Sequence, residues 1–150
     1  VPDVKWTPSL IEERFVEAAE VMKRLPNVRV PGHFNTWPKM MQEFADMIGQ
    51  EPRPMRLPPP SAEAITRMEQ TLEWLRWLDA ADAKIVWLRA TGERWKTICW
   101  KVGLARTAAN QRWLYALCVI TWKLSGHVLP RGRSRQHVIE LARARQARAG

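Results

Sequence analysis

An all-α fold is predicted by three observations. Apolar residues recur at three- and four-residue spacing in successive segments, no period-two alternation of useful length occurs, and cap, proline or glycine signals bound most of the helical segments. Length and composition agree: 150 residues, 46% apolar and 26% charged, suffice for one buried core, or two small helical halves sharing it, and do not describe a disordered chain. The expected architecture is a group of N-terminal helices followed by a C-terminal helix-turn-helix module.

The elements follow in order. Thr7-Pro8 supplies an N-cap and a first helical residue, after which Leu10, Ile11, Phe15, Ala18, Ala19, Met22 and Leu25 keep helical spacing up to Pro26. Val28 to Asn35, with Pro31 and Gly32, is expected to be irregular. Thr36 caps a second helix carrying Trp37, Met40, Met41, Phe44 and Ile48, which stops at Gly49. Pro52, Pro54, Pro58, Pro59 and Pro60 then forbid helix and favour an extended, semi-rigid linker.

Ser61 caps a third helix, in which Ile65, Met68, Leu72, Leu75 and Leu78 form one stripe widened by Trp74 and Trp77. Asp79 can cap a fourth helix holding Ile85, Val86 and Leu88 and ending near Gly92. A fifth runs from about Arg94 to Val102 and stops at Gly103, and a sixth from about Arg106 to Leu124, before Gly126. The last basic segment, Ser134 to Ala149, can form a helix with Val138, Ile139, Leu141 and Ala142 on one side. No internal repeat is present.

The formal charge of +9 is unevenly spread. Residues 1–92 hold twelve Lys or Arg against thirteen Asp or Glu, whereas residues 93–150 hold twelve against Glu93 and Glu140 alone. A positive field concentrated in this way suits a polyanion, because each neutralised phosphate releases condensed counterions. A solvated basic face without a partner is the bland alternative.

Inside the basic region, the run from Ile98 to Trp113 has the spacing of a helix-turn-helix. Such a motif needs a small residue where two helices cross, a turn residue tolerating left-handed backbone, and apolar residues that lock the crossing angle. Cys99, Gly103 and the set Ile98, Val102, Leu104 and Ala109 meet these needs. Spacing then turns Ala105, Arg106, Thr107, Asn110, Gln111 and Leu114 outward. Arg can pair with guanine O6 and N7, and Asn or Gln with adenine N6 and N7, so Arg106, Thr107, Asn110 and Gln111 are the expected base-contacting residues. Lys96, Lys101 and Arg112 nearby, and Arg131, Arg133 and Arg135 beyond, are expected on phosphates, which fix register without reading sequence.

Leu78 to Ile120 resembles region 4 of bacterial sigma factors and related response-regulator-like helix-turn-helix domains. The likeness runs through Ile85-Val86-Trp87-Leu88-Arg89, Ile98-Cys99 before Gly103-Leu104, Arg112-Trp113 and Ala116-Leu117. It implies a four-helix, sigma-region-4-like module that recognises promoter DNA in the major groove. Arg94, Ala105 and Ala108 depart from it, standing where that family usually has Ser or Thr, Ser, and Thr. Each lost cap is worth on the order of 1 kcal/mol. Trp100 stands at a position that is ordinarily charged and exposed, which leaves room for a second contact surface. Over its whole length the chain resembles a helix-turn-helix family of bacteriophages and prophages, through Trp6-Thr7-Pro8, Arg29-Val30-Pro31-Gly32, Thr36-Trp37-Pro38 and Glu73-Trp74-Leu75-Arg76-Trp77-Leu78. That likeness implies a viral or mobile-element origin and supplies no activity.

The expected division is therefore residues 1–60 as an N-terminal helical region with its proline-rich linker at 51–60, residues 61–126 as a DNA-binding domain, and residues 127–150 as a basic C-terminal arm. No P-loop, G-x-S-x-G or Rossmann glycine pattern occurs, and a non-enzymatic role without cofactor is expected. His33, His127 and His137 lack metal-ligand spacing, Cys99 and Cys118 form no C-x-x-C pair, and neither a metal site nor a disulfide is expected. Most of the nine tryptophans are assigned to packing. With no apolar run of membrane length and no signal-peptide pattern at the start, the expected location is a cytoplasm, which the phage and prophage resemblance implies to be that of a bacterial cell.

Double-stranded DNA is the expected partner, read in a sequence-specific way by a transcription regulator, with RNA polymerase as a further candidate partner. The first alternative is a ring-forming DNA-packaging protein of the small terminase kind, which requires a homo-oligomer. The second is an adaptor that binds protein through a tryptophan-rich surface.

Overall fold

A computed structural model describes residues 4–25, 58–129 and 132–149. The expected second helix and most of the proline-rich stretch lie outside the described residues, as does Arg131. The described residues form six α-helices and no strand: α1 (Pro8–Arg24), α2 (Ala62–Trp74), α3 (Ala80–Ala90), α4 (Trp95–Val102), α5 (Arg106–Leu124) and α6 (Arg135–Ala149). A single 3-10 turn, Leu75–Trp77, leads out of α2.

Helix starts follow the cap chemistry of the sequence. Thr7 Oγ1 accepts from the Leu10 amide at 3.2 Å, Ser61 Oγ from the Ala64 amide at 3.2 Å, and Ser134 Oγ from the His137 amide at 3.2 Å. Asp79, Arg94 and Ala105 occupy the corresponding positions of α3, α4 and α5 without a side-chain hydrogen bond.

One core joins α1 to α2, α3 and α5. Ile11, Phe15, Ala18 and Met22 of α1 pack with Met68, Leu72 and Trp74 of α2, Val86 and Trp87 of α3, and Ala116, Leu117 and Ile120 of α5. Trp74 takes Trp6 and Phe15 edge-on at 5.1 Å and 6.2 Å, a favoured aromatic geometry, and the Arg14 guanidinium lies 5.2 Å from its ring. Arg67 of α2 closes the α1–α2 seam on Glu17 at 2.8 Å. Residues before the proline-rich stretch thus share their apolar face with α5.

A smaller cluster lies on the opposite face of α3. Ile85, Leu88 and Ile98 are buried together, flanked by Trp95, Val102, Leu104 and Trp113, so α3, α4 and the first half of α5 form a three-helix unit. Finally, α6 lies along α5: Ile139 and Ala142 pack on Cys118, with Leu114, Tyr115 and Trp122 beside them. The segment expected as a basic arm is, over α6, a helix docked on α5.

Candidate nucleic-acid interface

The site is built around the turn between α4 and α5. Gly103 has φ 69 and ψ 32, left-handed backbone that an L side chain rarely adopts, and the amides of Gly103 and Leu104 both donate to the Cys99 carbonyl, at 2.9 Å and 3.2 Å. This closure ends α4 and drops Leu104 beside Ile98. Trp95 and Trp113 meet edge-on at 5.7 Å and clamp α4 to α5. The Arg89 guanidinium lies 5.0 Å from the Trp95 ring and donates to the Glu93 carbonyl at 3.3 Å.

Ala109 is buried, which orients the first half of α5. Arg106, Thr107 and Asn110 fall on the opposite side and are exposed. Three of the four residues expected to face bases therefore share one open stripe. The fourth, Gln111, is half-buried: its Nε2 donates to Gln136 Oε1 of α6 at 3.4 Å, while Gln136 Nε2 donates to Glu140 at 3.0 Å. Leu114, expected outward, instead packs under α6.

The cations divide into free and committed groups. Lys96 and Arg133 are exposed. Lys101 Nζ lies 3.5 Å from Glu93 Oε1, and the Arg135 guanidinium lies 5.7 Å from the Tyr115 ring. Arg112, expected on a phosphate, is turned inward: its Nε stands 3.2 Å from Asp82 Oδ1, whose side chain is only 1% exposed. Spacing carries this signal, since Ala109, Arg112 and Ala116 lie on one side of α5 and Asp82 shares a side of α3 with Ile85 and Val86. Asp82 is the partner of Arg112 that sequence reasoning missed.

Burial pushes the Asp82 carboxyl above its ordinary range, against the pull of Arg112 and then Arg135, while Asp79 adds to the rise. Cys118, beneath α6, is pushed by burial up to about 11, slightly opposed by Arg143, and is a packing thiol. Among the described residues no group of three or more His, Cys, Asp or Glu could hold a metal ion, and no helix is long and apolar enough to cross a membrane.

These features define a class of all-helical protein, one whose short helix, glycine turn and longer helix present a polar, cation-bearing helix end to solvent. The chain belongs to the family described as a domain of unknown function (DUF6362), whose model matches residues 23–120. The match takes in the Gly103 turn and the exposed stripe of α5, and ends before α6. No curated protein and no solved structure matches the chain.

Proposed function

We propose that this protein binds double-stranded DNA in a sequence-specific way, using α4, the Gly103 turn and α5 as a sigma-region-4-like helix-turn-helix. The observation that carries the reading is the exposed stripe Arg106, Thr107 and Asn110 opposite buried Ala109, inside the region that holds all the excess positive charge. Arg106 suits guanine and Asn110 suits adenine in a major groove. Gln111 reaches a base with whatever hydrogen-bonding capacity Gln136 leaves it. Lys96, Lys101, Arg131, Arg133 and Arg135 serve phosphates, and Arg112 holds α5 to α3 through Asp82. The biological role that fits is a regulator of phage or prophage type in a bacterial cytoplasm.

Two measurements test this. Binding to random duplex DNA at several salt concentrations has an expected log-log slope of roughly −4.5 for five phosphate contacts. A flat response removes DNA from consideration. Site selection from a random duplex library, repeated with Asn110→Ala combined with Gln111→Ala, has relaxed sequence preference and a nearly unchanged salt slope as its expected outcome. Unchanged selected sites would show that another face reads the bases.

A further inference from the structure

A cleft of about 460 Å³ lies where the start of α1, the middle of α5 and the middle of α6 meet, a volume in the range of small-molecule sites. Its lining divides by chemistry. Leu114, Cys118 and Ile139 form an apolar floor, in which Cys118 is 3% and Ile139 2% exposed. Lys5 and Ser9 stand on one side and Arg143 on the other, and no acid is among the described lining residues. The first turn of α1 also lacks an acid, so the anion-favouring end of its dipole is unopposed there; Glu12 and Glu13 come a turn later and do not line the cleft. The arginines of α6 are used differently. Arg135 and Arg145 lie over the Tyr115 and Trp122 rings, whereas exposed Arg143 has no hydrogen-bond, ion-pair or ring partner among the described residues. Glu140, one turn before it, accepts from Gln136. The charge of Arg143 reaches the floor, where it pulls against the burial that raises the Cys118 thiol. That thiol makes no hydrogen bond among the described residues and stays neutral, so the floor adds no negative charge.

We infer that this cleft binds a small organic monoanion, an acidic head group on an apolar body. Arg143 and Lys5 hold the head at the rim, and Leu114, Cys118 and Ile139 take the body on the floor. Both halves of the lining select this occupant. An inorganic anion leaves the apolar floor facing water, a neutral apolar molecule leaves Arg143 without a partner, and a cation meets two like charges and the positive end of α1. Leu114 follows Asn110 by one turn, so the cleft adjoins the exposed stripe of α5 without including it. The inference stands apart from the DNA reading, and its test needs no duplex.

Octanoate, octanol and acetate are the probes, since the first has both parts of the ligand and the others one each. The full chain is titrated with each and followed by NMR of the Leu114 and Ile139 methyl groups. Octanoate is expected to shift both and to saturate in the millimolar range or below, with octanol and acetate each at least about tenfold weaker. Arg143→Gln should weaken octanoate about tenfold, with unchanged helical circular dichroism. Ser9→Glu places an acid on the rim and in the first turn of α1, where it suits the helix dipole. Its stability in urea should be equal or higher while octanoate binding is lost, an outcome that misfolding does not produce. Absence of shifts at Leu114 and Ile139 overturns the inference, as does octanol or acetate binding as tightly as octanoate. Octanoate binding that survives unchanged in Ser9→Glu or in Arg143→Gln also overturns it. If Arg143→Gln keeps octanoate binding and loses duplex binding, Arg143 belongs to the DNA surface instead.

Discussion

Replacing Arg112 with leucine takes the cation away from a carboxylate held out of water. Arg112 Nε and Asp82 Oδ1 are 3.2 Å apart, the Asp82 side chain is 1% exposed and that of Arg112 24% exposed. At an effective dielectric of 20 that separation corresponds to an attraction of about 5 kcal/mol. Burial offsets it, since the Asp82 carboxyl stays above its ordinary range with both Arg112 and Arg135 near it. Breaking a buried pair costs about 3–5 kcal/mol, and the open quarter of Arg112 together with the remaining Arg135 sets the expectation at the low end, about 3 kcal/mol. Without Arg112 the carboxyl is raised further. A raised carboxyl value contributes stability that is present below the unfolded value and lost as pH rises through the folded one. The deficit of Arg112→Leu should therefore be larger at about pH 8 than at about pH 5. Urea unfolding of the full chain at both pH values measures this. Asp82→Leu combined with Arg112→Leu should recover most of the loss. A deficit equal at both pH values, or a double variant as unstable as the single one, would refute a desolvated pair.

Three further expectations concern the same helices. Ala105→Ser supplies an N-cap oxygen that α5 lacks, on backbone already extended at φ −67 and ψ 155, and should raise stability by about 1 kcal/mol in urea unfolding. No gain there would mean that the first turn of α5 is satisfied in another way. Gly103→Ala should cost about 1–2 kcal/mol from its left-handed backbone alone, since an added Cβ meets nothing within 4 Å, whereas Ile98→Ala in the small cluster should cost about 2–5 kcal/mol. Equal losses would place a packing role at Gly103. Cys118, 3% exposed and with its thiol pushed up to about 11, should resist iodoacetamide in the folded chain while Cys99 reacts, as read by mass spectrometry. Equal rates would show that α6 does not cover it.

Much of the fold was legible because local chemistry and periodicity agree. Thr7 and Ser61 cap α1 and α2 as read, and the glycines at 92, 103 and 126 fall where the helices break, all with positive φ. What stayed illegible is pairwise. Periodicity tells which side of α1 is apolar but not that α5 covers it, so the proline-rich stretch looked like a domain boundary although the core runs across it. The same limit applies at the site. Arg106, Thr107 and Asn110 lie opposite Ala109 by spacing alone, whereas Gln111 and Leu114 depended on a helix arriving from residues 135–149. Arg112 was the resolvable case. A charge on the buried stripe of α5 and an acid on the buried stripe of α3 are each costly alone and tolerable together.

The two halves of α5 carry different loads. From Arg106 to Asn110 the helix exposes polar side chains, and from Ala116 to Thr121 every residue is buried, against α1, α3 and α6. The exposed stripe of the first half thus faces away from that half's own attachments, which are buried Ala109 and, just beyond it, Arg112 and Trp113. Substitutions at Arg106, Thr107 or Asn110 remove no core contact and should leave stability nearly unchanged, because surface changes away from caps and packing stay within about 0.5 kcal/mol. Substitutions at Arg112 act on both, through the angle at which the exposed half leaves the core. Sequence preference and stability should therefore be separable at residues 106–110 and coupled at Arg112. Loss of stability on changing Asn110 would mean that the Asn110 side of α5 is packed against part of the chain and is not open for a ligand.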